Sequence, residues 1–183
     1  MKTALVTGAT SEIGIEICEK LASNNINVII HYHNKENVAY KLKERLENEY
    51  KVSCLCIKAD LLNEEEINEL INKSIKEFNN IDVLINNAAL DIPDLFENKT
   101  KNEFNDILNV NLVAPFLLSK MIGNKMYENK YGKIINIVST NGIDTYFPMC
   151  ADYDASKAGL ISLTHNLALQ YKPYLNVNAI APG

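Results

Sequence analysis

Short apolar runs alternate with amphipathic stretches along the whole chain. The runs at residues 3–7, 27–32, 52–58, 83–86, 133–138 and 176–181 are rich in Val and Ile and almost unbroken in hydrophobicity. That pattern predicts parallel strands buried on both faces. Between them the period changes to that of a helix. Asn63 is positioned to cap one helix with Glu66 reciprocating, and Ile67, Leu70, Ile71, Ile75 and Phe78 then make a single apolar stripe. Strand–helix alternation of this kind implies right-handed crossovers and an open α/β sheet. The longest helical pattern, 100–125, carries Asn111 on the face formed by Phe104, Ile107 and Leu108. A buried amide is costly unless hydrogen-bonded. Asn111 therefore either satisfies nearby backbone or holds a water or a kink at a functional site. Pro115 removes a helical donor and predicts a bend there.

No linker, internal repeat or low-complexity segment interrupts the pattern, and 183 residues suffice for one sizeable core, so a single domain over 1–183 is expected. The net charge of −5 and the lone Arg45 speak against a nucleic-acid binder. Cys18, Cys54, Cys56 and Cys150 have neither metal nor disulfide spacing, and the three histidines do not complete a ligand set, so no metal is expected. Cys54 and Cys56 read as buried thiols of a strand. Met1 leads almost at once into the first strand, so no signal peptide is expected. No apolar run approaches the ~20 residues of a membrane span. A cytoplasmic location and no membrane partner are the expectation.

The first strand ends in Thr7-Gly8-Ala9-Thr10-Ser11-Glu12-Ile13-Gly14, which opens the first helix. Gly8 permits a tight turn and Gly14 a close helix–strand approach, while N–H groups at the helix start, around Ser11 and Ile13, suit a pyrophosphate. An acid at the end of the second strand would favour NAD. Here that segment reads His31-Tyr32-His33-Asn34-Lys35, with no acid until Glu36. His33 and Asn34, with Lys35 nearby, suit a 2′-phosphate, which favours NADP(H) over NAD(H). Asp60, followed by Leu61, ends the third strand and can accept from an adenine amino group.

Tyr153 and Lys157 are one helical turn apart, and Ser139 lies fourteen positions before Tyr153 at the end of an apolar run. A free tyrosine has a pKa near ~10, and a neighbouring cation would lower it. A hydroxyl aimed at a developing alkoxide would stabilise it.

With these residues in view the chain resembles the short-chain dehydrogenase/reductase family, most closely its 3-oxoacyl-acyl-carrier-protein reductase branch. The resemblance runs through Thr7-Gly8 to Gly14, Asp60, Asn86-Asn87-Ala88-Ala89, Asn111, Ser139, Tyr153 with Lys157, and Asn178-Ala179-Ile180-Ala181-Pro182-Gly183. It implies a doubly wound Rossmann-type sheet with helices on both faces. It also implies hydride transfer between a nicotinamide and a carbonyl or hydroxyl substrate, with 3-oxoacyl thioester reduction in fatty-acid synthesis foremost. Tyr153 would be general acid or base, Lys157 would bind the nicotinamide ribose and lower the Tyr153 pKa, Ser139 would bond the substrate carbonyl, and Asn111 would hold a relay water. Asn87 and Ala88 would line the cofactor, with Pro182 and Gly183 near the nicotinamide. A homotetramer joined through the helices of Asn111 and Tyr153 is implied, as is an acyl carrier protein docking near Lys130 and Lys172. A sugar or polyol dehydrogenase and a non-catalytic nucleotide-binding module are the alternatives.

The chain departs from the family pattern at three places. Glu12 and Ala89 stand where glycine is usual. Similar proteins also continue past Pro182-Gly183 with a further strand and a substrate lid, so a C-terminally truncated form is expected, with the sheet edge beside Val177 unpaired. Between Ser139 and Tyr153, Ile143, Tyr146, Phe147, Met149 and Cys150 could wall an acyl chain or simply pack beneath the loop.

Overall fold

The strands bury both faces, and the two faces feed two separate cores. A computed structural model describes residues 1–144 and 146–183. In β1 (Lys2–Val6), Leu5 enters one core while Ala4 and Val6 enter the other. In β2 (Ile26–Tyr32), Ile29 goes one way and Val28 and Ile30 the other. Helices α1 (Glu12–Ala22) and α2 (Glu36–Tyr50) close one face through Cys18, Ala22, Leu42 and Leu46. On the other face α3 (Glu64–Phe78) contributes Ile67, Leu70 and Ile71, the stripe read from sequence. The remaining strands are β3 (Cys54–Lys58), β4 (Val83–Asn86), β5 (Gly132–Ile137) and β6 (Leu175–Ile180). All six are parallel in the order β3-β2-β1-β4-β5-β6. Each lies within two residues of its predicted bounds. Among the described residues β6 hydrogen-bonds as a strand only to β5 and forms one edge of the sheet.

The long helical stretch is three elements: α4 (Lys101–Leu108), a π-helical turn (Asn109–Val113) and α5 (Ala114–Glu128). The bend predicted at Pro115 is thus a π-turn just before it. Pro115 has no N–H for the Asn111 carbonyl, so regular i to i+4 bonding cannot continue. By length and composition 101–128 could cross a membrane, contrary to the sequence expectation, yet 44% of its most apolar window is buried. Ile107, Leu118, Ile122 and Met126 of this stretch are buried in the protein interior. The last long helix is α6 (Ala151–Gln170).

Capping differs in one detail. Asn63 Oδ1 accepts from Glu65 N (2.9 Å) and Glu66 N (3.4 Å), as expected. Glu66 does not reciprocate to the Asn63 N–H; its carboxylate accepts from Asp60 N at 2.7 Å. The Asn63 N–H is already taken by Asp60 O at 3.0 Å. A reciprocal box forms instead at Thr100 and Glu103, which caps α4.

Gly14 is where α1 meets the β1 turn. A Cβ there would lie 2.8 Å from Ala9 Cα and closer still to Gly8 O. Gly14→Ala is therefore expected to destabilise the fold by about 1–3 kcal/mol through overpacking. A lower urea midpoint at unchanged slope checks this, and an unshifted midpoint would refute the close approach.

Candidate active site

Strand order reverses between β1 and β4, because the chain passes outward to β3 and then returns to β1's other side. A crevice opens there at the carboxyl ends of the strands. In this structure it is a cleft of about 870 Å3. It receives Gly8, Ser11 and Ile13 from the glycine turn, His33 and Asn34 from the end of β2, and Asp60 and Leu61 from the end of β3. Asn87 and Ala88 follow β4, and Ser139, Tyr153, Lys157, Pro182 and Gly183 close the far end. Gly14 packs behind the turn, and Asn111 lies outside the cleft wall.

The glycine turn is held by hydrogen bonds. Gly8 has φ +60, and a Cβ on it would lie 2.8 Å from Ala88 Cα. Ser11 caps α1, accepting from Gly14 N at 3.1 Å and donating to Gly8 O at 2.9 Å. Asn87 Nδ2 donates to Thr7 O (2.9 Å) and Gly8 O (3.0 Å). Thr7 Oγ1 accepts from both Asn87 N and Ala88 N at 3.0 Å. Glu12 is the first residue of α1, exposed at the cleft rim. Ala89 is not at positive φ, so its replacement of glycine introduces no backbone strain.

Two residues that sequence reasoning passed over also hold this end. His31, 2% exposed, accepts from Gly8 N at Nδ1 (3.0 Å), and its Nε2 faces Ala59 O at 3.1 Å. The signal in sequence was a histidine inside an apolar strand. Thr7 acts as the acceptor between β1 and β4 described above. Nearer the solvent, His33 Nε2 is 3.8 Å from Asp60 Oδ2, and Tyr32 OH donates to Glu36 at 3.1 Å.

At the opposite end, Ser139 follows β5 and lines the cleft with Tyr153, which stands in the first turn of α6. Burial raises the Tyr153 pKa, and the Ser139 hydroxyl opposes this only in part. The direction is opposite to the one expected from Lys157. The Lys157 ammonium lies 5.4 Å from the Tyr153 ring centre and donates to Ile137 O at 2.8 Å. Lys157 is itself 2% exposed, and burial brings its pKa down to about 8.

The start of α6 is anchored by a buried ion pair that sequence reasoning did not foresee. Lys99 donates to both Asp152 oxygens, at 2.9 and 2.8 Å, and to Ile92 O. Asp152 Oδ1 also accepts from Tyr153 N at 3.0 Å. The residues separate by 53 positions, so only the fold brings them together. Asn111 is fully engaged, with Oδ1 accepting from Leu90 N (2.7 Å) and Nδ2 donating to Leu90 O (2.9 Å) and Ser156 Oγ (3.0 Å). Its side chain thus satisfies buried backbone. Of the apolar segment before α6, Ile143, Tyr146 and Phe147 are exposed while Cys150 is buried. Lys130 and Lys172 precede β5 and β6, at the amino ends of strands whose carboxyl ends form the cleft.

This geometry, in which a glycine turn faces a Ser–Tyr–Lys cluster across one crevice, agrees with the comparison to known proteins. The model for short chain dehydrogenase matches residues 2–183. The chain belongs to the short-chain dehydrogenase family. It is 37% identical over 183 residues to the 3-oxoacyl-[acyl-carrier-protein] reductase FabG of Aquifex aeolicus (strain VF5), covering 100% of this chain and 73% of that protein. Among solved structures it is similar to an NAD+-bound xylitol dehydrogenase, with TM-score 0.92 and 29% identity over 100% of this chain and 70% of that one. It is likewise similar to a short-chain dehydrogenase from Sphingobium yanoikuyae in complex with NADPH, with TM-score 0.91 and 27% identity over 100% and 70%.

The buried lysine generates a stability prediction. Its folded pKa of about 8 lies below the ordinary 10.5, so between those values the unfolded chain binds more protons. Stability contributed by this group is full above pH 10.5, falls as pH drops toward about 8, and stays low below that. Lys157→Met removes the buried charge and is expected to stabilise the fold at neutral pH by on the order of 2 kcal/mol. The rise in stability from about pH 8 to 10.5 should vanish with it. Urea unfolding across that window checks both, and a destabilised variant that keeps the rise would contradict the assignment.

Proposed function

We propose that this short-chain dehydrogenase family member is an NADP(H)-linked reductase that moves a hydride between a nicotinamide and a substrate carbonyl. One observation carries the reading: the Ser139 hydroxyl, the Tyr153 phenol and the buried Lys157 ammonium converge at one end of the cleft that begins at the glycine turn. The residues fit a dinucleotide. The close approach of Gly8 to Ala88 leaves no room for a side chain, and the N–H groups of Glu12 and Ile13 in the first turn of α1 have no intrahelical partner. The cofactor, when bound, supplies or accepts the hydride.

The chain's own groups manage the proton and the charge. Burial holds the Tyr153 phenol protonated at neutral pH, which suits a donor to the alkoxide formed in reduction. Ser139 donates to the same oxygen and stabilises its developing charge. The Lys157 ammonium favours the phenolate that Tyr153 becomes, so its attraction is greatest after the proton has left. The Asn111 side chain is committed to Leu90 and Ser156, so a relay water falls to its carbonyl, which Pro115 deprives of the usual helical donor.

Cofactor preference follows from the rim at the end of β2. His33, Asn34 and Lys35 are exposed there, and the nearest acid on that segment, Glu36, is engaged by Tyr32. These groups favour a 2′-phosphate, so NADP(H) is the cofactor and NAD(H) the weaker ligand. For substrate we favour a 3-oxoacyl thioester presented by an acyl carrier protein, supported by the FabG relative and by the exposed Ile143, Tyr146 and Phe147 in the segment between Ser139 and Tyr153. The likeness to a xylitol dehydrogenase supports the second reading, a polyol substrate. Lys130 and Lys172, the other candidates for carrier docking, lie before β5 and β6, at the ends of those strands opposite the cleft. The exposed Phe104, Val113 and Phe116 on the α4–α5 stretch favour assembly with further copies, as in a homotetramer. The four free cysteines suit a reducing cytoplasm.

Tyr153→Phe should bind NADPH as tightly as the parent chain while kcat for acetoacetyl thioester reduction drops by about 10^2–10^4-fold. A variant keeping most of its kcat would remove Tyr153 from the chemistry. In parallel calorimetric titrations NADPH should bind at least about tenfold more tightly than NADH, the worth of charge-assisted hydrogen bonds to the extra phosphate. Equal affinities at matched ionic strength would overturn the cofactor preference.

A further inference from the structure

We propose that His31 is a positioning residue for the cofactor, a neutral imidazole that locks the pyrophosphate turn to the adenosine side of the cleft. This rests on the dinucleotide reading above. The side chain stands at the carboxyl end of β2, between the ends of β1 and β3. A backbone N–H can only donate. The 3.0 Å bond from Gly8 N to His31 Nδ1 therefore leaves Nδ1 without a proton and puts the ring proton on Nε2. Nε2 then donates to Ala59 O at 3.1 Å. One tautomer satisfies both contacts, and a protonated ring would set an N–H against the Gly8 N–H. Burial pushes the pKa down to about 4, in keeping with a neutral ring. The titratable groups acting on it are His33, which disfavours its charge, and Asp60, which favours it.

The backbone of the same residue completes the lock, since His31 O accepts from Ala9 N at 3.0 Å. Consecutive N–H groups of the glycine turn thus both end on His31. They are withdrawn from any phosphate, and an anion is directed to the free N–H groups of Glu12 and Ile13 in the first turn of α1. At its other end the ring holds the carbonyl immediately before Asp60, and Asp60 and Leu61 border the cleft. The ring therefore ties the pyrophosphate-binding turn to the segment facing the adenosine, across the strand that separates them. A leucine would fill the same space but orphan the Gly8 N–H and the Ala59 carbonyl. A glutamine offers an acceptor and a donor on one planar group and can span the two.

The test compares the 183-residue parent chain with His31→Leu and His31→Gln by calorimetric titration with NADPH and by steady-state reduction of an acetoacetyl thioester. His31→Leu should weaken NADPH binding about tenfold, the effect of two orphaned buried groups, with kcat at saturating NADPH within about twofold of the parent. His31→Gln should recover most of the affinity. Equal NADPH affinity in His31→Leu and parent overturns the proposal, as does a fall in kcat at unchanged affinity. A parent chain that binds neither NADPH nor NADH overturns the dinucleotide reading and this inference with it, whereas a parent that binds while His31→Leu binds equally well overturns this inference alone. Long-range 1H–15N spectra of the parent give a measurement independent of variant folding. They should show an unprotonated Nδ1 and a protonated Nε2, unchanged down to about pH 5; a ring protonated on Nδ1, or one titrating near the ordinary ~6.5, refutes the lock.

Discussion

The hydrogen bonds that stitch the end of β1 to the end of β4 are the constraint on which the candidate site depends. Thr7 Oγ1 accepts two consecutive N–H groups, from Asn87 and Ala88, and the Asn87 amide returns to the carbonyls of Thr7 and Gly8. These are buried polar groups, and each would be costly if left unpaired. The stitch closes the strand pair at which the sheet order reverses, and so holds together the crevice where the glycine turn faces Ser139, Tyr153 and Lys157. Gly8 must approach Ala88 for the stitch to form, which explains why a side chain cannot be placed there.

A second anchoring system acts at the other end of the cleft. The buried Lys99–Asp152 pair joins the loop after β4 to the first turn of α6, next to Tyr153. A pair so buried is weak evidence for stability, because desolvation offsets much of the attraction. Its role is more naturally geometric, since it orients the helix that projects the phenol and the ammonium. The same logic applies to Asn111, whose side chain holds Leu90 by both backbone groups and touches Ser156 on α6. The π-turn around Asn111 places that amide at the junction of three segments.

The electrostatics of the cluster run opposite to a simple pairing argument. Desolvation, not the neighbouring ammonium, dominates the Tyr153 phenol, and desolvation alone depresses Lys157. The ammonium donates to Ile137 O and lies 5.4 Å from the Tyr153 ring centre. A buried lysine of this kind is a destabilising element that the rest of the fold tolerates. Such residues concentrate where chemistry needs them.

Most of the architecture was legible in the chain itself. The six strands, the helix stripe of Ile67, Leu70 and Ile71, and the glycine turn followed from hydrophobic period and glycine placement, because these are local properties that every residue carries, whereas Asn87, Ala88, Pro182 and Gly183 at the cleft were implied only by the family resemblance. Which residues share a hydrogen bond was not local. The sequence could not show that Glu66 would turn to Asp60, that Lys99 would pair with Asp152, or that His31 would span Gly8 and Ala59, because each partner comes from a different element brought near by strand order. Nor could it set the direction of the Tyr153 shift, which depends on how far the phenol is removed from water. Pattern and composition specified the elements and their order; burial and long-range pairing, which exist only once the sheet has closed, decided how the site's polar groups are held and charged.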